Sequence, residues 1–309
     1  MLIINKMKIP SVCIVGPGVV GQATGKVFVE KGIRVGFLGV IKEQIEKLKE
    51  EGYEAFTKDE IYNGNYDYDI TMLTVPTPTI NKKIDLGILK QAAMDLGKRM
   101  KHFKKYHLVV VKSTVPPGTT EELVVPIIEK YSGKKLGVDF GACMNPEYLR
   151  AKTAFDDTLN PWMILIGEYD KKSGDLLELV YKNKYDCPIF RCNIKEAEMQ
   201  KYVHNLYNAV KITFHNEMRV IAKNIGVDAD KIFDYHSLSC EGMWNPKYGI
   251  KDHGPFDGAC LPKDTQAFHD WAKKRGHDTT LLKTAIKINN KFMESVDKVQ
   301  YKKPEQIQL

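Results

Sequence analysis

The residue best suited to covalent carbonyl chemistry is Cys260, in the last third of the chain. It stands in the stretch GPFDGACLPKD, residues 254–264. A thiolate is an intrinsically strong nucleophile for a carbonyl carbon. A free cysteine is nevertheless more often a small, buried and inert side chain. The residue type alone therefore leaves both interpretations of Cys260 open.

Lys201 and Asn205 place two hydrogen-bond donors four residues apart in a segment with a helical pattern. Residues at i and i+4 share one helix face, one turn apart. Two donors side by side can stabilise an alkoxide or another oxyanion, where negative charge develops during a reaction. The alternative is an ordinary solvated polar stripe, which is the simpler interpretation of this segment taken alone.

Three further polar residues have structural explanations of their own. Asp264 is predicted near the start of a helix, where a carboxylate caps the backbone. Thr114 lies in a Ser-Thr-Val-Pro turn after a strand, where its hydroxyl can cap the turn. Glu147, in NPEYLR, is compatible with a surface glutamate. None of the three indicates a reaction by itself.

A glycine motif near the N-terminus predicts dinucleotide binding. VCIVGPGVVGQATG places Gly16, Gly18 and Gly21 in the spacing G-x-G-x-x-G, after a strand and at the head of a helix. The first glycine permits a tight turn, the second lets a pyrophosphate approach the backbone, and the third lets the helix pack on the strand. The helix N-terminus also favours an anion.

The second predicted strand lacks the acidic residue that binds the adenosine ribose of NAD. The strand RVGFLGVIK ends at Gly39, and Lys42 follows with no carboxylate between them. A cation in place of the acid favours the 2′-phosphate of NADP. The predicted cofactor is therefore NAD, with NADP as an alternative, and weak or lost cofactor binding stays open.

The elements that must position these residues change character near Asn193. Before it, short apolar runs alternate with helical patterns, which predicts an α/β fold: a Rossmann-type, doubly wound parallel sheet over residues 1–193 with helices on both faces. The predicted strands are residues 11–16, 34–40, 68–75, 107–114, 136–144 and 162–168.

The chain after Asn193 is predicted to be mostly helical. A run of about 30 residues without proline or internal glycine predicts one long helix at 194–225, ended by Gly226. Such a helix is also a candidate surface for a homodimer. The predicted helical domain covers residues 194–295, with further helices at 229–236, 264–275 and 280–292, and residues 296–309 form a polar tail.

Composition and charge argue against several classes of protein. The chain has 309 residues, with 46 Lys and Arg against 39 Asp and Glu, and its scattered basic residues give little support for nucleic-acid binding. The cysteines show neither CxxC spacing nor pairing with histidine, so no disulfide framework and no metal site is predicted, and a cytoplasmic protein is expected. No apolar stretch approaches about 20 residues, so no membrane span is predicted.

Five separated segments together resemble the UDP-glucose/GDP-mannose dehydrogenase family. They are VPTPT at 75–79, VKSTVPPGTT at 111–120, NPEYLR at 145–150, AEMQKYVHNLYNAVKITFHNE at 197–217, and CLPKD at 260–264. CLPKD downstream of NPEYLR is the most specific combination. The resemblance implies a four-electron oxidation of a sugar primary alcohol to a carboxylate, with two dinucleotides used in turn.

The resemblance also implies roles for the residues named above. Cys260 would be the nucleophile that carries a thiohemiacetal and then a thioester. Lys201 and Asn205 would stabilise the oxyanion, and Asp264 would order water near the thiol. Because these positions match the family together, they favour the reactive interpretation of Cys260 over the inert one.

Two more catalytic residues and the binding residues follow from the same resemblance. Glu147 would activate water for thioester hydrolysis, and Thr114 would contact both the cofactor and a catalytic water. The implied cofactor-binding residues are Gly16, Gly18, Val19, Gly21, Val75, Pro76, Thr77, Ser113 and Thr114. The implied substrate-binding residues are Glu147, Tyr148, Leu149, Arg150, Lys201, Asn205, Gly258 and Lys263.

The sequence departs from the family pattern in four places. Ala151 stands where a second glutamate is usual, Asp257 replaces a glycine close to the substrate, and Gly39 replaces the ribose acid. Relatives also carry a third, C-terminal domain that holds much of the nucleotide, so this chain resembles a short form without it. For a chain complete at Leu309, either a partner subunit supplies that half of the pocket or the substrate lacks a nucleotide.

Three functions remain in competition. The first is NAD(P)-dependent oxidation of a sugar, by default a nucleotide sugar, to its carboxylate through Cys260, in a homodimer formed by helix 194–225. The second is a dehydrogenase that stops after one step or acts on a small non-nucleotide alcohol. The third is a non-catalytic binding or scaffold homologue. Formation of an acid with two cofactors reduced separates the first from the others.

Overall fold

The computed structural model describes residues 9–63, 68–249, 255–258 and 260–296. The chain divides into two compact units, residues 1–204 and 205–309, and the division falls inside one long helix. The domain boundary at 193/194 stays a prediction. The polar tail lies, from residue 297 onward, outside the described residues.

The first unit is built on a twisted sheet. The strands in its described residues are β1 Val12–Val15, β2 Val35–Gly39, β3 Glu54–Thr57, β4 Ile70–Leu73, β5 Thr79–Ile80, β6 Lys83–Ile84, β7 His107–Val111, β8 Phe140–Met144, β9 Ile164–Glu168 and β10 Ile189–Asn193. Eight of them form one sheet in the order β10-β9-β8-β7-β4-β1-β2-β3, and β5 pairs with β6.

Helices cover both faces of this sheet. They are α1 Val19–Glu30, α2 Lys42–Glu50, α3 Lys58–Asn63, α4 Gly87–Met100, α5 Val125–Ser132, α6 Ala154–Leu159 and α7 Lys171–Tyr181, with a π-helical turn at Thr120–Val124 and a 3₁₀ turn at Ala151–Thr153. The long helix α8 Ile194–Asn224 begins in this unit.

The central strands are mostly apolar because both faces of the sheet are buried. The polar exceptions include Thr71 in β4 and His107 in β7, whose side chains share a hydrogen bond of 2.7 Å. In β7, Leu108 and Val110 belong to one hydrophobic cluster, and Val109 and Val111 belong to the cluster on the opposite face. Successive side chains of a strand point to opposite faces, which explains this division. The Rossmann-type fold class predicted from the alternating pattern is confirmed.

One neighbouring pair departs from the parallel arrangement. All other pairs of the eight-stranded sheet are parallel, whereas β8 and β9 are antiparallel, with Cys143 opposite Glu168 and Met144 opposite Gly167. An antiparallel neighbour begins at the sheet edge where the previous strand ends. The segment 145–163, which carries NPEYLR, therefore stays at the carboxyl edge of β8.

Sequence patterns missed the two outermost strands, β3 and β10. Each lies at one end of the sheet and is covered on fewer sides, so partly exposed residues interrupt its apolar run. The predicted strand 136–144 is shorter in the structure, because Gly137 has a φ of +78° and the strand begins only at Phe140.

Every regular element in the described residues of the second unit is a helix. It contains the rest of α8, followed by α9 Ala229–Ser239, α10 Glu241–Trp244, α11 Leu261–Lys274 and α12 Thr280–Val296. The predicted stop at Gly226 is confirmed, since this residue has a φ of +74°, which favours glycine. Among the described residues no helix combines the length and the apolar character needed to cross a bilayer.

Candidate active site

The turn between β1 and α1 depends on two of its glycines for its shape. Gly16 has a φ of +90°, and a Cβ atom there would lie 2.8 Å from Val75 Cγ1. A Cβ atom on Gly21 would lie 2.5 Å from the carbonyl oxygen of Gly16, so this glycine lets α1 start against the strand. These contacts are the physical reason for glycine at the first and third positions of the motif.

The middle glycine faces open space and is the part of the turn that a ligand can approach. A Cβ atom on Gly18 would meet nothing within 4 Å, and Gly18 is the N-cap of α1. Its backbone is therefore accessible beside the positive end of a helix, where a phosphate is favoured. Val19, the next residue, is exposed on the first turn. The turn thus fits a dinucleotide pyrophosphate.

A cavity of about 460 Å³ adjoins the glycine turn at the end of β2. Its wall is formed by the glycine turn, the residues after β2, Val75, Pro76 and one face of α4. The lining is mostly apolar, as expected for a pocket that takes an adenine ring. Lys58, Asp95 and Arg99 supply its charged groups, and Lys58 is paired with Asp95 at 2.7 Å.

The end of β2 leaves little room for a side chain. A Cβ atom on Gly39 would lie 3.1 Å from the Pro17 ring and 3.0 Å from Ile45 Cδ1. An aspartate at this position would therefore push against the proline of the glycine turn. Lys42, which the sequence suggested as the replacement for the ribose acid, is exposed on the first turn of α2 and is not among the residues that line the cavity.

Two loops that follow β4 and β7 are tied together beside this cavity. Ser113 Oγ donates to the carbonyl oxygen of Val75 at 2.6 Å, and Thr77 Oγ1 donates to that of Thr114 at 2.8 Å. Thr114 itself is half-buried. The sequence analysis named cofactor-binding residues in each loop, and these two hydrogen bonds show that the loops are in contact.

Glu147 and Lys201 form a buried ion pair in the first unit. Lys201 Nζ lies 3.0 Å from Glu147 Oε1, and the two side chains are 4% and 16% exposed. The same ammonium donates to the carbonyl oxygen of Glu147, while Glu147 Oε2 accepts from the Leu149 N–H at 2.8 Å. Both carboxylate oxygens are thus engaged, and the surface interpretation of Glu147 is wrong.

The part of α8 that carries Lys201 is fixed by a buried carboxylate that sequence reasoning missed. Glu198 is fully buried and accepts hydrogen bonds from the backbone N–H groups of Gly118 and Thr120. Burial raises the pKa of this carboxyl group, and the hydrogen bonds oppose that shift. The sequence around it, with Glu196 two residues earlier and the half-exposed Met199 next, carried no signal of this burial.

Tyr148 and Arg150, in the same NPEYLR segment, make polar contacts within the first unit. The Tyr148 hydroxyl donates to Gln200 Oε1, and its ring lies 5.4 Å from Lys201 Nζ. Arg150 makes a two-pronged contact with Asp157, at 2.6 and 3.0 Å. The implied substrate contacts of Tyr148, Leu149 and Arg150 stay predictions.

Behind Glu147 lies a buried lysine that sequence reasoning also missed. Lys112 Nζ donates to Asn145 Oδ1 at 2.9 Å, and the Tyr181 hydroxyl donates to the same oxygen. Desolvation lowers the pKa of Lys112 to about 8, and the nearby Glu147 carboxylate opposes this shift. The position of Lys112 in VKSTV gave no hint of burial.

In the second unit, Cys260 is exposed at the N-cap of α11. The buried interpretation is therefore wrong for this residue, and its reactivity stays a prediction. The backbone N–H of Asp264 donates to the Cys260 carbonyl oxygen at 2.8 Å, so both belong to the first turn of the helix, whose N-terminus favours an anion. The Asp264 carboxylate pairs with its neighbour Lys263.

The remaining residues predicted in this unit are also accessible. Gly258 has a φ of +91°, a backbone conformation that favours glycine, and a Cβ atom there would meet nothing within 4 Å among the described residues. Asp257 and Asn205 are exposed. Within the described residues no group of three or more His, Cys, Asp or Glu side chains is placed to hold a metal ion.

Two family models cover almost the whole described chain. The NAD binding domain of the UDP-glucose/GDP-mannose dehydrogenase family matches residues 10–185, and the central domain of the same family matches residues 195–291. The chain belongs to this family.

Named relatives agree with this membership. GDP-mannose 6-dehydrogenase from Pseudomonas aeruginosa is 40% identical over 72% of this chain, and UDP-glucose 6-dehydrogenase from Haloferax volcanii is 33% identical over 90%. The aligned parts make up 51% and 69% of those proteins, so the chain spans about half the length of the first. A ternary complex of GDP-mannose dehydrogenase from Pseudomonas aeruginosa has a TM-score of 0.84 at 33% identity and covers 92% of this chain and 69% of its own.

Proposed function

We propose that the chain oxidises the primary alcohol of a nucleotide sugar to a carboxylate through a thiohemiacetal and a thioester on Cys260. The observation that carries this proposal is the buried Glu147–Lys201 pair in a member of a dehydrogenase family. A solvated polar stripe would leave Lys201 exposed, whereas its side chain is 4% exposed and fixed by a carboxylate. The accessible thiol at the start of α11 supports the same reaction.

The proposed cofactor is NAD, held by the glycine turn and by the tied loops at 75–77 and 113–114. Hydride acceptance is the chemistry that NAD supplies when bound. The Gly18 backbone and the start of α1 suit its pyrophosphate, and the apolar cavity beside the end of β2 suits its adenine. Thr114, in the second loop, is proposed to contact both the cofactor and a water molecule.

Each catalytic side chain has a distinct task in this proposal. Lys201 and Asn205 donate hydrogen bonds to the substrate oxygen as negative charge develops on it. The Cys260 thiolate adds to the aldehyde carbon, and the adduct is oxidised to a thioester. Asp264 orders water near the thiol.

Hydrolysis of the thioester completes the reaction. Glu147 accepts a proton from a water molecule whose oxygen bonds to the acyl carbon. The C–S bond breaks, and sulfur leaves as the thiolate, ready for the next turnover. Glu147 suits this task because its carboxylate lies 3.0 Å from Lys201 Nζ, the proposed donor to the substrate oxygen.

Product analysis tests the proposed function directly. Incubation with NAD and either UDP-glucose or GDP-mannose is expected to give a sugar carboxylate and two NADH for each carboxylate formed. One NADH per product, released as an aldehyde, would instead indicate the single-step dehydrogenase. The third hypothesis, a non-catalytic homologue, predicts that NAD does not bind and that neither sugar nucleotides nor small alcohols are oxidised.

Cofactor preference is expected to be relaxed towards NADP. The cavity offers no carboxylate at Gly39, and the charged residues of its lining are Lys58, Asp95 and Arg99. Titration calorimetry should therefore give dissociation constants for NADP and NAD within about tenfold, a difference below about 1.4 kcal/mol. A strong preference for NAD would show that Gly39 is compensated by another acceptor.

We also propose a cytoplasmic homodimer formed through helix 194–225. Along α8 the apolar residues Met199, Val203, Leu206 and Val210 are each more than half exposed and recur at spacings of four and three. Such an apolar stripe on a helix is typical of a helix–helix interface. Sedimentation at several protein concentrations measures the oligomeric state.

A further inference from the structure

The segment that leads into Cys260 is held to helix α12 by one side chain. Asn289, on α12, accepts a hydrogen bond at Oδ1 from the Phe256 backbone N–H at 2.7 Å, and its Nδ2 donates to the Phe256 carbonyl oxygen at 3.0 Å. One side-chain amide thus satisfies both backbone polar groups of one residue. Phe256 lies four residues before Cys260, and all three residues belong to the second unit.

This two-point contact depends on the chemistry of asparagine. An amide carries an acceptor oxygen beside an NH₂ donor, so it can pair with a backbone N–H and a backbone C=O at once. An apolar side chain of similar size could do neither. Asn289 is 8% exposed, although asparagine is mostly a surface residue and a poor helix former. The contact with Phe256 is therefore the physical reason for a buried asparagine within α12.

Helix α12 is a firm support for this contact because its start is bonded to two other helices of the second unit. The Leu281 N–H donates to Glu217 Oε1, on α8, at 3.0 Å. His269 Nδ1, on α11, lies 2.7 Å from the hydroxyl oxygen of Thr279, the residue directly before α12. The position of α12 is thus fixed relative to both α8 and α11.

The chain between Phe256 and Cys260 passes through the exposed residues Asp257 and Gly258. Cys260 is exposed as well, at the N-cap of α11. Helix α11 fixes the thiol from the C-terminal side, and the contact of Asn289 with Phe256 fixes the chain from the N-terminal side. Loss of that contact would therefore loosen an exposed stretch of the chain that ends at the thiol.

We propose that Asn289 is a positioning residue for Cys260. By holding Phe256 on α12, which Glu217 ties to α8, it keeps the thiol in place relative to the part of α8 in the same unit, where Asn205 lies. The proposal rests on the proposed function, in which the Cys260 thiolate adds to an aldehyde bound by Asn205. A displacement of about 1 Å from the reacting carbon can slow such a step about 10²-fold.

Asn289→Ala tests the proposal on the aldehyde form of a sugar nucleotide that the wild type oxidises. With NAD the enzyme oxidises this aldehyde through the thiol, whereas with NADH it reduces the same aldehyde to the alcohol without forming a carbon–sulfur bond. We expect oxidation to slow about 10²-fold and reduction to keep its wild-type rate. Stopped-flow absorbance of NADH follows both reactions. Equal slowing of the two, or no slowing of either, overturns the proposal.

Asn290→Ala is the matched control. Asn290 is the next residue of α12 and is exposed, so its replacement changes the helix propensity equally and leaves the contact with Phe256 in place. Both reactions of the aldehyde should keep their wild-type rates in this variant. Asn289→Leu nearly keeps the size of the side chain and should slow oxidation as alanine does. Normal oxidation by Asn289→Leu would show that only packing matters at this position and would contradict the proposal.

Hydrogen exchange of the Phe256 amide keeps the two proposals apart. Asn289 Oδ1 protects this N–H, so its exchange should be about tenfold faster in Asn289→Ala and unchanged in Asn290→Ala. If the wild type neither oxidises nor reduces the aldehyde, the proposed function fails, and the exchange rates still decide whether Asn289 holds the segment before Cys260. Equal exchange in the two variants overturns the positioning role.

Discussion

Replacing Cys260 with alanine is expected to abolish formation of the carboxylate product. Without the thiolate no carbon–sulfur bond forms, so the aldehyde cannot become a thioester. Cys260 is exposed at a helix start, so its loss removes no core contact and the fold should persist. Carboxylate yield by chromatography, together with the amount of NADH formed, measures the effect.

Two companion variants make this result specific. Cys240→Ala removes another partly accessible cysteine of the second unit and should leave acid formation unchanged. Cys260→Ser keeps a weaker nucleophile at the same position and is expected to accumulate an adduct at the aldehyde level. A fully active Cys260→Ala enzyme would falsify the thioester mechanism.

Replacing Lys201 with methionine is expected to lower kcat by about 10²–10³-fold, the usual effect of losing one donor to a developing oxyanion. The change also leaves the Glu147 carboxylate without its cation in a largely buried setting. Breaking such a pair typically costs about 3–5 kcal/mol of stability, so the variant should also unfold at a lower temperature. Steady-state kinetics and thermal unfolding measure the two effects separately.

The double variant Lys201→Met/Glu147→Gln separates catalysis from stability. It removes both charges, so most of the lost stability should return while kcat stays low. Lys223→Met, an exposed lysine on the same helix α8, serves as the control and should behave as wild type. Recovery of kcat together with stability in the double variant would contradict the proposed catalytic roles of both Lys201 and Glu147.

The fold was predictable from the sequence wherever burial is symmetrical. Strands such as β7 are covered on both faces, so continuous apolar runs identified them, and the run at 194–225 identified α8 because nothing in it breaks a helix. The edge strands β3 and β10 and the antiparallel turn into β9 were not predictable. The burial and direction of a strand depend on the strands that pair with it, and this pairing is decided by the whole chain.

The residues of the candidate site were likewise predictable in part. The glycine spacing predicted the turn before α1, because φ and close contacts at Gly16 and Gly21 are local requirements. Lys112 and Glu198 escaped notice because their burial results from residues far away in sequence. Single charged residues beside apolar ones look alike in a sequence, whether they face solvent or the interior.

The crowding between Pro17 and Gly39 links two positions that are distant in sequence. A side chain at 39 must displace the proline ring or Ile45 by a few tenths of an ångström, because its Cβ atom would lie 3.0–3.1 Å from them. Gly39→Asp should therefore lower the melting temperature less after Pro17→Ala than alone, because only the end of the flexible Ile45 side chain is then left to move. The order of these two substitutions therefore matters in evolution, because a ribose-binding acid at position 39 is easier to gain after Pro17 has been replaced.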